Sequence, residues 1–203
     1  MRGWIIGMAI CGFSSLANAQ PLNAYGFELG KPLMLPECVK VKVQDILYTQ
    51  SMPNQPTCGM GKTPTTSTMN PADFQAVRFP TSAKPALSKH TVIFVTMIDG
   101  NLEGVMVLTR GIETQEDDVA VLSEKYGKPT AKFVVERTLR SGAKVNILNS
   151  VWEGADGSMI YFGGAGDKLD EGVLRIRSEK AVKAEASEAE RQKSEAAKRS
   201  TPL

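Results

Sequence analysis

The sequence predicts an α+β fold: an antiparallel sheet of about five to six strands, one helix packed on a face, and a charged C-terminal helical tail. Three observations predict it. Two β-rich runs flank the turn Asp99-Gly100, and an amphipathic helix pattern follows them. Four further strand-like runs then follow one another without strand–helix alternation. After Ser178 the composition changes to mostly Ala, Glu, Lys, Arg and Ser.

Residues 1–19 have the order of features of a secretory signal peptide. Arg2 provides a short positive region, and the apolar run behind it is too short to span a bilayer. The sequence ANA that ends at Ala19 is the small-x-small pattern of signal peptidase sites. The alternative is a buried N-terminal helix. We predict export to the periplasm or outside the cell, with Gln20 as the first residue of the mature chain.

The predicted cleavage between Ala19 and Gln20 is checked by N-terminal sequencing of the exported protein, which is expected to begin at Gln20. An intact Met1 on protein that stays in the cytoplasm would contradict it.

The cysteine count favours a disulfide between Cys38 and Cys58. Loss of the signal peptide removes Cys11 and leaves an even pair, and exported chains oxidise such pairs. The bond would close a loop of about 20 residues within residues 20–89, which we predict to be irregular and tied by the disulfide. The alternatives are two unpaired buried thiols or a metal site, for which the distant His90 has unsuitable spacing.

Residues 90–178 form the predicted antiparallel α+β core, which opens with a hairpin. Strands are predicted near 91–98 and 103–109, since Asp99-Gly100 between apolar runs is a strong hairpin signal. Both runs are almost continuously apolar, which places the hairpin centrally in the sheet.

The helix is predicted to begin after Thr114, whose side chain can cap the first turn. Val119, Leu122 and Tyr126 recur at helical spacing and form its apolar face. Gly127 ends it, and Pro129 prevents its continuation. The acidic first turn is interpreted as helix stabilisation by the dipole and not as a catalytic cluster.

The last four strands lie between this helix and Ser178. Trp152 is predicted to pack between sheet and helix. Alternation over residues 173–177 is typical of an edge strand with one solvated face. The preceding loop, Gly163–Gly172, holds three carboxylates but lacks the order of an EF-hand, so we interpret it as a flexible loop.

The tail, residues 179–203, has high helix propensity, yet Val182 is its one large apolar residue before the C-terminal Leu203. We predict a solvated helix, with a partner-binding helix as the alternative. No other run is long and apolar enough for a membrane span.

Three short patterns resemble small exported proteins of Gram-negative bacteria that carry no assigned activity. They are F-x-L-G-x-P-L with a following cysteine, L-x-x-K-Y-G-K-P and W-x-x-x-D-G. The matching residues are Phe27, Leu29, Gly30, Pro32, Leu33 and Cys38, then Leu122 to Pro129, then Trp152, Asp156 and Gly157. The resemblance implies a periplasmic domain and assigns no catalytic or binding residue.

Charge and motifs favour a binding role over catalysis. Without Arg2 the chain has 23 basic and 22 acidic residues, so nothing points to nucleic acid or an anionic membrane. His90 is the only histidine, and no nucleophile pairs with it in the sequence. We expect no cofactor, and a non-catalytic periplasmic interaction module, an envelope accessory or inhibitor, whose partner is another envelope protein. The alternative is a small hydrolase that uses loop carboxylates.

Overall fold

A computed structural model describes residues 22–43, 46–49, 55–62 and 73–199. The predicted signal peptide and the predicted cleavage site between Ala19 and Gln20 lie outside these residues. The fold is α+β, as predicted. Its strands are β1 (Asn23–Ala24), β2 (Phe27–Glu28), β3 (Lys40–Val43), β4 (Ile46–Thr49), β5 (Cys58–Lys62), β6 (Asp73–Arg78), β7 (Val92–Ile98), β8 (Asn101–Thr109), β9 (Ala131–Thr138), β10 (Lys144–Glu153), β11 (Met159–Gly163) and β12 (Gly172–Arg177), and its helices are α1 (Gln115–Tyr126) and α2 (Glu179–Arg199).

The main sheet has eight antiparallel strands in the order β5-β6-β7-β8-β12-β11-β10-β9, so the prediction of five to six strands is wrong. Six of the strands come from the predicted core. The other two, β5 and β6, come from the segment predicted to be irregular. Their sequences, CGMGK and DFQAVR, are short and lack a run of β-branched residues, so they carry little strand signal.

The hairpin of β7 and β8 matches its prediction. Asp99 and Gly100 both have positive φ angles, of 51° and 80°, which is the geometry of a type I′ turn between twisted strands. Its two strands occupy the third and fourth positions of the sheet.

Strand β12 is not an edge strand, which corrects the prediction for residues 173–177. It lies between β8 and β11 and pairs with both. Its polar residues, Arg175 and Arg177, lie on the face of the sheet next to α2, so the alternation reflects a partly covered face and not an edge. The two edges of the sheet are β5 and β9.

One face of the sheet carries the main core, and α1 covers it. Val119 and Leu122 of α1 are buried there against Phe162 and Leu174 of the sheet, among other residues. Trp152 is also buried, and its Nε1 donates a hydrogen bond to the Gly127 carbonyl oxygen at 2.7 Å. The prediction that Trp152 packs between sheet and helix is therefore confirmed.

The start of α1 is joined to β10 by the side chain of Gln115. The Gln115 side-chain amide donates to the Asn146 carbonyl oxygen at 3.0 Å and accepts from the Leu148 N–H at 2.9 Å. A Cβ at Gly164 would lie 2.2 Å from the Gln115 Oε1, so an alanine there would displace the Gln115 side chain from its hydrogen bonds to β10. Thr114 precedes the helix as predicted, but its hydroxyl donates to the Asp118 carboxylate instead of capping a backbone N–H.

The predicted helical tail forms a second helix, α2, and its first turns contact the opposite face of the sheet. Ala181 is buried, and Glu185 pairs with Arg177 of β12. The prediction of a solvated helix is therefore wrong for these turns, where small and polar residues of α2 face the sheet. In the described part of the chain, neither helix is long and apolar enough to cross a membrane.

Candidate functional site

Strand β9 forms a free edge of the sheet: among the described strands it pairs with β10 alone. The residues opposite each other determine which backbone groups remain available. Val134 lies opposite Leu148. The Leu148 N–H donates to Gln115, and its carbonyl oxygen accepts from the Gly164 N–H at 2.8 Å. Both partners lie on the β11 side of β10.

Neither the N–H nor the C=O of Leu148 therefore forms a hydrogen bond with β9. Val134 and Leu148 are a non-hydrogen-bonded pair. It follows that the N–H and C=O of Val134 point away from β10, out of the sheet. Because the direction alternates along a strand, the backbone groups of Lys132 and Glu136 also point outward. The free edge thus presents three consecutive pairs of backbone donors and acceptors.

The side chains of this edge are apolar in the middle. Phe133, Val134 and Val135 are 48%, 58% and 47% exposed, respectively. Phe133 and Val135 lie opposite Asn149 and Ile147, on one face of the sheet, while Val134 lies on the other face. A strand added to β9 would meet apolar side chains on both of its faces and outward backbone groups between them.

The opposite edge of the sheet, β5, is covered at Gly59 by the segment from Pro36 to Cys38. The Cys38 N–H donates to the Gly59 carbonyl oxygen at 2.9 Å, and the Gly59 N–H donates to the Pro36 carbonyl oxygen at 2.9 Å. The predicted disulfide, Cys38–Cys58, is present and joins this covering segment to β5. Natural proteins usually protect the edge strands of their sheets. The unprotected β9 is therefore the unusual edge of this sheet.

The polar and charged residues around His90 do not form a catalytic arrangement. The His90 Nε2 lies 4.0 Å from a carboxylate oxygen of Glu171, in the predicted flexible loop. The Ser88 hydroxyl donates to the His90 carbonyl oxygen at 2.6 Å, so it is engaged in its own turn. Lys89 donates to Asp170 at 2.9 Å, and this hydrogen bond lowers the pKa of the Asp170 carboxyl. These contacts attach the loop to the segment before β7.

A cavity of about 290 Å³ lies between α2 and the sheet. Two glutamates of α2 line it, but both are paired with arginines, and neither lies on a loop as in the hydrolase alternative. Glu185 pairs with Arg177, and hydrogen bonds from Arg191 and Gln192 lower the pKa of Glu188. Catalytic acids in such sites instead have raised pKa values.

Burial raises the pKa of one aspartate, Asp118, which accepts a hydrogen bond from Thr114 at the start of α1. It is not among the residues that line the cavity under α2. In the described residues, no group of three or more His, Cys, Asp and Glu side chains is arranged to hold a metal ion.

Sequence reasoning identified the disulfide but missed the free edge. Strand β9 is one of the four strands predicted between the helix and Ser178, but its position at the end of the sheet depends on the order of all eight strands. Comparison with protein-family models, curated proteins and solved structures finds no match for this chain.

Proposed function

We propose that the protein is a non-catalytic interaction module of the bacterial envelope that binds its partner by strand addition at β9. The single observation that carries this proposal is the free edge, with its outward backbone groups at Val134 and the exposed Phe133, Val134 and Val135. Main-chain hydrogen bonds would supply affinity, and the alternating side chains would supply specificity.

The periplasmic location is supported by the signal-peptide pattern that ends at Ala19 and by the disulfide, because cysteine pairs persist in oxidising compartments. The resemblance to small exported Gram-negative proteins points the same way. The expected partner is another polypeptide of the envelope, presented as an extended segment with apolar side chains near its centre. The hydrolase alternative has no comparable support, since the glutamates of the α2 cavity are paired with arginines.

The proposal is tested by photo-crosslinking in cells that export the protein. A photoreactive phenylalanine analogue at position 133 is expected to form a discrete protein adduct. The same analogue at Val121, an equally exposed apolar position on α1, is the matched control and is expected to form none. No adduct from position 133, or the same adduct from both positions, would refute strand addition at β9.

A second variant separates strand pairing from simple apolar contact. Val134→Pro removes one outward N–H from the free edge but leaves the ladder with β10 intact, because that N–H does not bond to β10. The adduct at position 133 is expected to disappear in this background while the thermal midpoint stays within a few degrees of the parent protein. An adduct that persists at full yield would show that backbone pairing is not involved.

A further inference from the structure

We infer that the strand added to β9 is the β9 of a second copy, paired antiparallel about a two-fold axis at Val134. This inference rests on the proposed function and names the partner for the same edge. The outward backbone groups restrict the possible registers. They belong to residues 132, 134 and 136, so hydrogen bonds form only where these residues face one another across the axis.

Three central registers satisfy this condition, with the axis at Phe133, Val134 or Val135. An axis at Phe133 places Lys132 opposite Val134, and an axis at Val135 places Glu136 opposite Val134. Each of these leaves both charges without an opposite charge across the interface. The axis at Val134 alone places Lys132 of each copy opposite Glu136 of the other.

The same register also matches the apolar residues. It places Phe133 opposite Val135 twice and Val134 opposite itself, and aromatic with β-branched pairs are favourable neighbours across strands. Charge, apolar contact and backbone hydrogen bonding therefore agree on one arrangement. Because the pairing is related by a two-fold axis, each contact between two different residues occurs twice in the dimer, and the Val134–Val134 contact on the axis occurs once.

The two charged side chains are free to adopt this arrangement. Lys132 lies 3.8 Å from Glu116 and Glu136 lies 2.8 Å from Lys144 within the same chain. All four side chains are about half exposed or more, and exposed ion pairs of this kind rearrange at little cost. The interface consists of a single strand pair, so it is small, and we expect a reversible dimer with a Kd of about 10–100 µM.

The experiment is sedimentation equilibrium of the oxidised mature protein over a concentration series up to about 1 mM. The parent protein is expected to show a monomer–dimer equilibrium. Lys132→Glu and Glu136→Lys, made separately, each place like charges opposite one another at both ends of the interface. Each is expected to raise the Kd at least about tenfold.

The double variant Lys132→Glu with Glu136→Lys reverses both charges and recreates two opposite pairs. It is expected to return the Kd to within about threefold of the parent value, a rescue that a mere loss of folding would not produce. Lys84→Glu, the same charge change at an exposed site before β7, is the matched control and is expected to leave the Kd unchanged.

A parent protein that remains monomeric throughout the series would overturn the self-pairing, as would a dimer that neither single variant weakens. A double variant that fails to rescue would overturn the register centred on Val134. In each of these cases an adduct of position 133 with a different envelope protein would leave the proposed function standing. Absence of any adduct at that position would refute the proposed function itself, so the two failures are distinguishable.

Discussion

Replacing Gly111 by alanine is expected to lower the free energy of unfolding by about 3–5 kcal/mol. Gly111 has a φ of +73°, which an L-residue adopts only with strain, and a Cβ there would lie 2.0 Å from the Leu169 carbonyl oxygen. The obstacle is backbone of the Gly163–Gly172 loop, which the Ile112 N–H holds in place through a hydrogen bond of 2.9 Å to the same oxygen. Neither group can move aside as a flexible side chain would.

Gly142→Ala is the matched control for this variant. Gly142 has a similar φ of +83°, but nothing lies within 4 Å of the Cβ that alanine would add. It should therefore show the backbone strain alone, about 1–2 kcal/mol. Urea unfolding of both variants measures the difference, provided that the slope with denaturant is unchanged. Equal losses in the two variants would show that the loop yields to the Cβ.

Loss of the disulfide is the second large effect. The double variant Cys38→Ser with Cys58→Ser is expected to lose about 3 kcal/mol, because the bond closes a loop of 20 residues and restricts the unfolded chain. At this chain length the thermal midpoint should fall by about 6–12 °C. The parent protein treated with reductant is the control. It should have the same thermal midpoint as the double variant.

Mass spectrometry gives an independent measure of the same bond. The unreduced mature protein is expected to be lighter than the reduced protein by two hydrogens. Complete labelling of Cys38 and Cys58 by a maleimide in unreduced, denatured protein would contradict the bond.

Local patterns in the sequence predicted the elements whose causes are local. Asp99-Gly100 specifies a hairpin by its own backbone preference, and the apolar spacing from Val119 to Tyr126 specifies a helix. Trp152 was placed correctly because a large aromatic residue in a strand beside a helix has few alternatives to burial.

The order of the strands could not be predicted in this way. Residues 173–177 read as an edge because Arg175 and Arg177 alternate with apolar residues, yet the strand is internal and α2 accounts for the polar face. The opposite error was made for β9, which is an edge strand but was not predicted to be one. Lys132 to Arg137 reads as an ordinary strand, and whether anything pairs with its outer side depends on residues far away in the chain. The bridging amide of Gln115 likewise has no local signature.

If β9 pairs with a second copy as inferred, the state of the β5 edge determines how far self-assembly proceeds. With β5 paired at Gly59 to the Pro36–Cys38 segment, β9 is the edge of the main sheet left for pairing among the described strands, and β9–β9 pairing ends at a closed dimer. Besides the disulfide, the backbone hydrogen bonds of Gly59 to Pro36 and Cys38 hold the covering segment on β5, and Leu33 and Leu35 pack against the core. If that segment detaches, each chain gains a second binding end, and β5–β9 pairing could then propagate without closure into a filament. In this scheme the oxidised cysteine pair would limit polymer growth as well as stabilise the fold.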